Sequence, residues 1–258
     1  MNTFLLSLID KRIDGLMIRF SQLPVKPVLL FYSQNEILVK MSKKLLDTYI
    51  HFLQAVGIAP KEYSYCEKPI VKKLSILAQD NQHLDDVEKK LINLITVPLT
   101  PTVIPVNIHV LKSGQLILYT GIGIAETTDT AVSFFLYELS ISTVLIKHTP
   151  IYLHYLDSML ACYSPDEFPS LRKLPETHNK KNYNQFQNDC REYFGDTFYQ
   201  FHNKMKMLDA LEDIMLSELS LKNIASTNNF RSYNNMYFLF CIRYKFPIDS
   251  IPRLFKEI

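Results

Sequence analysis

Lys222-Asn223-Ile224-Ala225-Ser226-Thr227-Asn228-Asn229-Phe230-Arg231-Ser232 is the stretch on which the reading of this chain turns. Ile224 and Ala225 sit where one helix presses on another, Asn229 holds a turn position that tolerates left-handed backbone, and Phe230 follows as an apolar plug. A second helix is expected from Ser232 to about Tyr244, with Met236 and Phe240 inward and Tyr233, Asn234, Tyr237 and Phe238 outward. Upstream, Phe186, Cys190, Gly195 and Phe198 repeat the pattern of helix, tight turn and helix. Two such units joined by one long helix suggest a DNA reader, because the second helix of each unit can lie in a major groove and present its exposed side to base edges.

Length and composition set the bounds. A chain of 258 residues, 47% of them hydrophobic, can bury one large core or two smaller ones. Six Gly and no Trp against fifteen Tyr and sixteen Phe reflect base composition rather than an activity. A net charge of +2 is too small to diagnose a polyanion partner. By region, 170–195 and 226–258 are mildly basic, whereas 196–220 concentrates Asp196, Asp209, Glu212, Asp213 and Glu218, so over 151–258 the charges cancel. Cys66, Cys162, Cys190 and Cys241 lie far apart with no C-x-x-C pair, which suits four thiols in a reducing compartment. The opening Met1-Asn2-Thr3-Phe4-Leu5-Leu6 lacks a basic segment, and the apolar run from Ala131 to Ile146 contains Glu138 and falls short of a membrane span. A soluble, cytoplasmic protein with no membrane partner is expected.

The first half mixes periods. Val25 to Tyr32 and Glu36 to Lys40 resemble two short strands about a turn, and Ser42 would cap a helix through Val56, stopped by Gly57. A helix is expected from Leu84 to Ile95, a hairpin from Val103 to Val110 and Gln115 to Thr120, and a further helix from Thr127 to about Ile146. From Pro150 onward everything reads helical, with Pro165 fitting a first helical position behind Ser164.

These anchors bring a family into view. Lys206-Met207, Ala210, Ile214, Ile224-Ala225, Phe230, Met236 and Phe240 resemble the second half of the DNA-binding domain of AraC/XylS-type bacterial transcription activators. Phe186, Cys190-Arg191, Gly195 and Phe198 resemble that family's first recognition helix and its glycine turn, with Asp166 to Pro175 as the preceding helix. The resemblance covers roughly residues 150–258. The mixed periods of the first half predict an α+β N-terminal domain over 1–147, and the resemblance implies an all-α C-terminal domain over 150–258, with two helix-turn-helix units joined by a long helix. It also implies Asn184, Gln187 and Asn188 on the groove side of the first recognition helix, and Tyr233, Asn234 and Tyr237 on the second. Lys180, Lys181, Arg191 and Arg231 would add phosphate contacts, and the Asn and Gln side chains would pair with adenine. Departures stand out: the family commonly has Arg where Asn188 and Phe238 stand, Gly where Asn229 stands and Ala where Pro175 stands, while Asp213 fills a usually apolar slot.

The function expected is therefore a regulator that binds double-stranded DNA. Its N-terminal half would bind a small ligand, RNA polymerase or a regulatory protein, or form a homodimer. Divergent members of this kind occur in type III secretion and virulence systems. The alternative is a degenerate co-regulator that works through protein contacts, which the missing arginines and cancelled charge favour. An enzyme is favoured only by Gly121-Ile122-Gly123 after a strand, which resembles a phosphate cradle lacking its third glycine. No cofactor, catalytic group or metal site is expected: the seven histidines are scattered, and Glu212-Asp213 reads as a solvated helix face.

Overall fold

The computed structural model describes residues 1–24, 35–75, 84–95, 102–125, 131–163, 172, 174–175 and 182–256. Two long helices lead: α1 spans Thr3–Ser21, capped by the Asn2 side chain, and α2 spans Asn35–Ala55. The middle of the chain is a sheet of β1 (Ser64–Ser75), β2 (Thr102–Lys112), β3 (Gln115–Ala125) and β4 (Ala131–Ser142), with the short helix α3 (Asp86–Ile92) after β1. The strands run antiparallel in the order β1-β4-β3-β2, so the central strands are β3 and β4. A helical C-terminal region follows: α4 (Tyr155–Cys162), α5 (Tyr183–Phe194), α6 (Phe198–Leu216), α7 (Leu221–Thr227) and α8 (Tyr233–Tyr237), the last continued by a π-helical turn over Phe238–Arg243.

The sheet separates two apolar layers. Leu118, Ile122 and Ile124 of β3 and Tyr137, Leu139 and Ile141 of β4 face the main core with α1 and α2. On the other side Val132, Phe134 and Leu136 join Val106, Ile108 and Leu91 in a smaller cluster beside α3. Both faces of β4 are therefore covered, and such a strand shows an unbroken apolar run rather than alternation. That is why 127–146, expected as helix, is strand over Ala131–Ser142. The hairpin expected around Lys112-Ser113-Gly114 is present, with Ser113 and Gly114 both at positive φ.

Two expectations near the N-terminus change. Glu36 to Lys40 is not a strand but the first turn of α2, whose buried Leu38, Met41, Leu45, Tyr49 and Phe52 keep helical spacing from the start. Val25 to Tyr32 lies outside the described residues. Ser42 is no cap: it is buried within α2, its hydroxyl donating to the Val39 carbonyl at 2.9 Å.

The expected architecture, an α+β half followed by an all-α half of two helix-turn-helix units around one long helix, is overturned. Helix comes first, the strands fill the middle, and the helical C-terminal region is not a layer of its own. One continuous cluster of buried side chains runs from Ile9 and Phe20 of α1, through Tyr49 and Phe52 of α2, to Phe201 and Leu211 of α6 and Phe240. Phe52 stacks on Phe240 with ring centroids 5.3 Å apart and meets Phe246 edge-on at 5.0 Å. At the opposite end Phe4 lies 4.6 Å from the Tyr193 ring and 5.5 Å from that of Phe194. The helix expected from Asp166 to Pro175 lies mostly outside the described residues.

Candidate nucleic-acid interface

The α7–turn–α8 unit is built residue by residue. Ser220 caps α7, its side chain accepting from the Asn223 amide, and Ile224 and Ala225 are buried against α6. Asn228 closes the helix through its amide nitrogen, which donates to the Ile224 carbonyl at 3.0 Å and to the Asp213 carboxylate at 2.8 Å. Asn229 then takes the left-handed conformation, φ 57°, which short polar side chains tolerate better than others. That reversal lets the Phe230 amide donate back to the Ala225 carbonyl at 2.9 Å and carries its ring into the core. Ser232 caps α8 by accepting from the Asn235 amide, and Met236 and Phe240 are fully buried beneath.

The outward side of α8 carries Asn234 and Tyr237, both exposed, with Tyr233 half-buried and 6.1 Å from the Tyr237 ring. Arg231 and Lys222 are exposed beside them, lining with Ser226, Tyr233 and Asn234 a shallow notch of about 490 Å³. Apolar surface continues along the π turn, where Phe238 and Ile242 are 53% and 49% exposed. This side is thus a mixture of amides, aromatic rings and a few cations.

Helix α5 departs from expectation in the placement of Gln187. Asn182 caps it, and it ends on Gly195 at φ 76°, whose amide donates to the Arg191 carbonyl. Asn184, Asn188 and Arg191 are exposed, but Arg191 donates to the Asn188 side chain at 3.1 Å. Gln187, expected on the outward side, is buried at 8% exposure, because Phe186, Cys190 and Phe194 turn that flank of the helix into the core. Burial pushes the Cys190 thiol up to about 12. Lys180 and Lys181 lie outside the described residues.

The acidic face of α6 shows what the local sequence hides. Glu212 and Asp213 are not a solvated face but partners of α1: Arg19 holds Glu212 at 3.1 Å and Asp213 at 2.8 Å, and Arg12 holds Asp209 at 2.5 Å. Tyr49 of α2 donates its hydroxyl to Glu212 at 2.9 Å. Burial raises the Glu212 carboxyl above its usual value, against the opposing pull of Arg12, Tyr49 and Arg19. Burial and the adjoining Glu212 charge push the Tyr49 phenol well above its usual range, so it stays a donor. Asp213, the polar residue in an apolar slot, joins Arg19 of α1 to Asn228 at the end of α7. These pairs offset most of the acidic excess of 196–220 with arginines from the other end of the chain. The charge balance around α7 and α8 is thereby more basic than the sum over 151–258 implies.

The phosphate cradle weighed for Gly121-Ile122-Gly123 finds no support in the structure. Gly121-Ile122-Gly123 lies inside β3 rather than in a loop, with the Phe134 ring where a Gly123 side chain would stand, 2.7 Å from its Cβ position. Gly121, at φ 154°, packs onto the Phe135 carbonyl, so these glycines serve strand packing and no phosphate cradle forms. All four cysteines are free. Among the described residues no group of three or more His, Cys, Asp or Glu side chains could hold a metal ion, and no helix is long and apolar enough to cross a membrane. Compared with known protein families, curated proteins and solved structures, the chain matches none.

Proposed function

We propose that this chain is a transcription regulator, a divergent relative of the AraC/XylS activators, that contacts double-stranded DNA through the α7–turn–α8 unit alone. The observation that carries this reading is the pairing of a fixed turn with an open, polar outer face. Asn229 and Phe230 lock the angle between the helices, and Asn234 and Tyr237 stand outward beside Arg231 and Lys222. Arg231 and Lys222 supply phosphate contacts; Asn234 reads a base edge, its amide suiting adenine. Arg12 and Arg19, by tying up Asp209, Glu212 and Asp213, remove the acidic charge that would otherwise repel the backbone.

The test is binding to genomic DNA fragments over a salt series. Affinity should fall steeply with salt, and Arg231→Gln and Lys222→Gln should each reduce the slope of log K on log salt by about 1, uniformly across sequences. Asn234→Ala should instead relax selection among fragments. Absence of binding at low salt overturns the reading.

A second reading, a co-regulator working through protein contacts, is favoured by one observation: Tyr237, Phe238 and Ile242 expose apolar surface along α8 and the π turn. Under it, Phe238→Asp abolishes activity in cells while DNA binding is absent from the start.

A further inference from the structure

A cleft of about 720 Å³ opens between α1, the segment from Thr149 through α4, and α6. It lies apart from the outer face of α8. Phe4, Leu8, Leu160 and Met205 give it apolar walls, and Lys11, Arg12, Lys206, His154 and His202 stand around them. Two carboxylates reach the cleft, and both are engaged: Asp157 accepts from the Tyr193 hydroxyl at 2.7 Å, and Asp209 holds Arg12. Among the described residues no ion pair joins Lys11 or Lys206 to a carboxylate. The Lys206 ammonium donates instead to the Asn229 carbonyl at 3.3 Å and stands 5.0 Å above the Phe230 ring.

The electrostatics select the sign of an occupant. Lys206 is half-buried, and desolvation together with nearby Arg231 lowers its affinity for a proton, the signature of a cation short of negative charge. Desolvation, helped by Lys206, holds His202 down to about 4, so its ring is neutral and able to hydrogen-bond without adding charge. Lys11, Arg12 and Lys206 outnumber Asp157 and Asp209 around the cleft, and the half-buried Lys206 has no carboxylate partner among the described residues, so the site favours an anion over a cation. A bare inorganic anion would leave the apolar walls facing water, so the walls call for a hydrocarbon body.

We propose that this cleft binds a small organic anion, its acid group held by Lys206 and Lys11 and its apolar body lying on Phe4, Leu8 and Met205. Carboxylate and phosphate ester share the chemistry that Lys206 and Lys11 recognise. Because Lys206 also steadies the carbonyl of Asn229, the occupant competes for the ammonium that supports the turn before α8.

Titration calorimetry and thermal melts of the full chain test this with four probes: 3-phenylpropionate, phenyl phosphate, the uncharged 3-phenylpropanamide and inorganic phosphate. At least one of the two organic acids should bind and raise Tm, which of them binds more tightly deciding between carboxylate and phosphate ester. The amide and inorganic phosphate should bind at least about tenfold more weakly, the loss of one charge-assisted hydrogen bond or of the hydrocarbon contact. Lys206→Gln should cost a similar factor, Lys206→Arg should restore most of it, and Lys112→Gln on the distant β2–β3 turn should change nothing. Lys11→Gln, on an exposed position, keeps the test valid if Lys206→Gln folds poorly. Equal binding of acid and amide, equal binding of inorganic phosphate, no binding of either acid, or full affinity in both the Lys206→Gln and Lys11→Gln variants overturns the proposal.

Discussion

Glu212 is the residue on which most of the tertiary structure converges. It accepts from Tyr49 of α2, pairs with Arg19 of α1 and sits 3.6 Å from Arg12, at 9% side-chain exposure. Removing one member of a buried charge cluster strands the others, so Glu212→Ala should destabilise the fold by about 3–5 kcal/mol in urea unfolding. Tyr49→Phe, which removes one hydrogen bond and leaves the packing, should cost about 1–2 kcal/mol. The two ends of the pH range can be separated by carboxyl titration in carbon-13 NMR. Glu212 is held above its ordinary 4.5 by burial, so its contribution to stability is full below that value and is lost as pH rises through its folded midpoint. Asp10 is the reverse case. Burial works to raise it, but hydrogen bonds from His109 and Asn107 outweigh that and bring it below 3.8, so its contribution is present above 3.8 and lost as pH falls through its folded midpoint. Midpoints on the other side of 4.5 and 3.8 would contradict these assignments. None of this network was legible in the sequence: the Arg19–Glu212 partners stand 193 residues apart, and a local charge count sees only an acidic run.

At the scale of elements, helix stops, turns and the β2–β3 hairpin were readable, and the identity of β4 was not. Gly195 after Phe194, Asn229 before Phe230 and Ser113-Gly114 all fall where backbone must turn left-handed, and composition alone marks such places. The strand β4 was misread because coverage on both faces erases the alternation that betrays a half-buried strand. Two glycines make a matched test of backbone against space. A methyl group at Gly15, within α1, or at Gly195, at the end of α5, meets nothing within 4 Å. Gly15→Ala should therefore stabilise the protein by about 0.5–1 kcal/mol through helix propensity. Gly195→Ala should destabilise it by about 1–2 kcal/mol, because φ 76° strains any side chain. Thermal melts that moved in the same direction would refute the argument. Phe230→Ala, at 6% exposure, should cost about 3–5 kcal/mol and free α8 from α7.

For the molecule as a whole, the continuous core predicts one cooperative transition, with tyrosine fluorescence and far-ultraviolet dichroism coincident through denaturation. A fragment of residues 150–258 should lack fixed tertiary structure by NMR, since α6 would lose its arginine partners on α1 and Phe240 its ring partner on α2. A well-dispersed spectrum from that fragment would refute this. The outward side chains of the proposed DNA face on α8 were legible because the buried spacing of Ile224, Ala225, Phe230, Met236 and Phe240 fixes which side chains remain outside. The cleft beside Lys206 was not, since its walls come from α1, α4 and α6, which only the folded chain brings together. The π turn carries a different kind of consequence. The Tyr244 amide reaches back five residues to the Leu239 carbonyl, so the ladder over Phe238–Arg243 accommodates one amino acid more than an α-helix of the same rise. The chain thus holds a spare residue at an exposed apolar bend. Shortening the gene there by one codon, Ile242, lets the helix regularise in place, whereas the same deletion inside α6 would rotate every later side chain by about 100° and scramble its buried stripe.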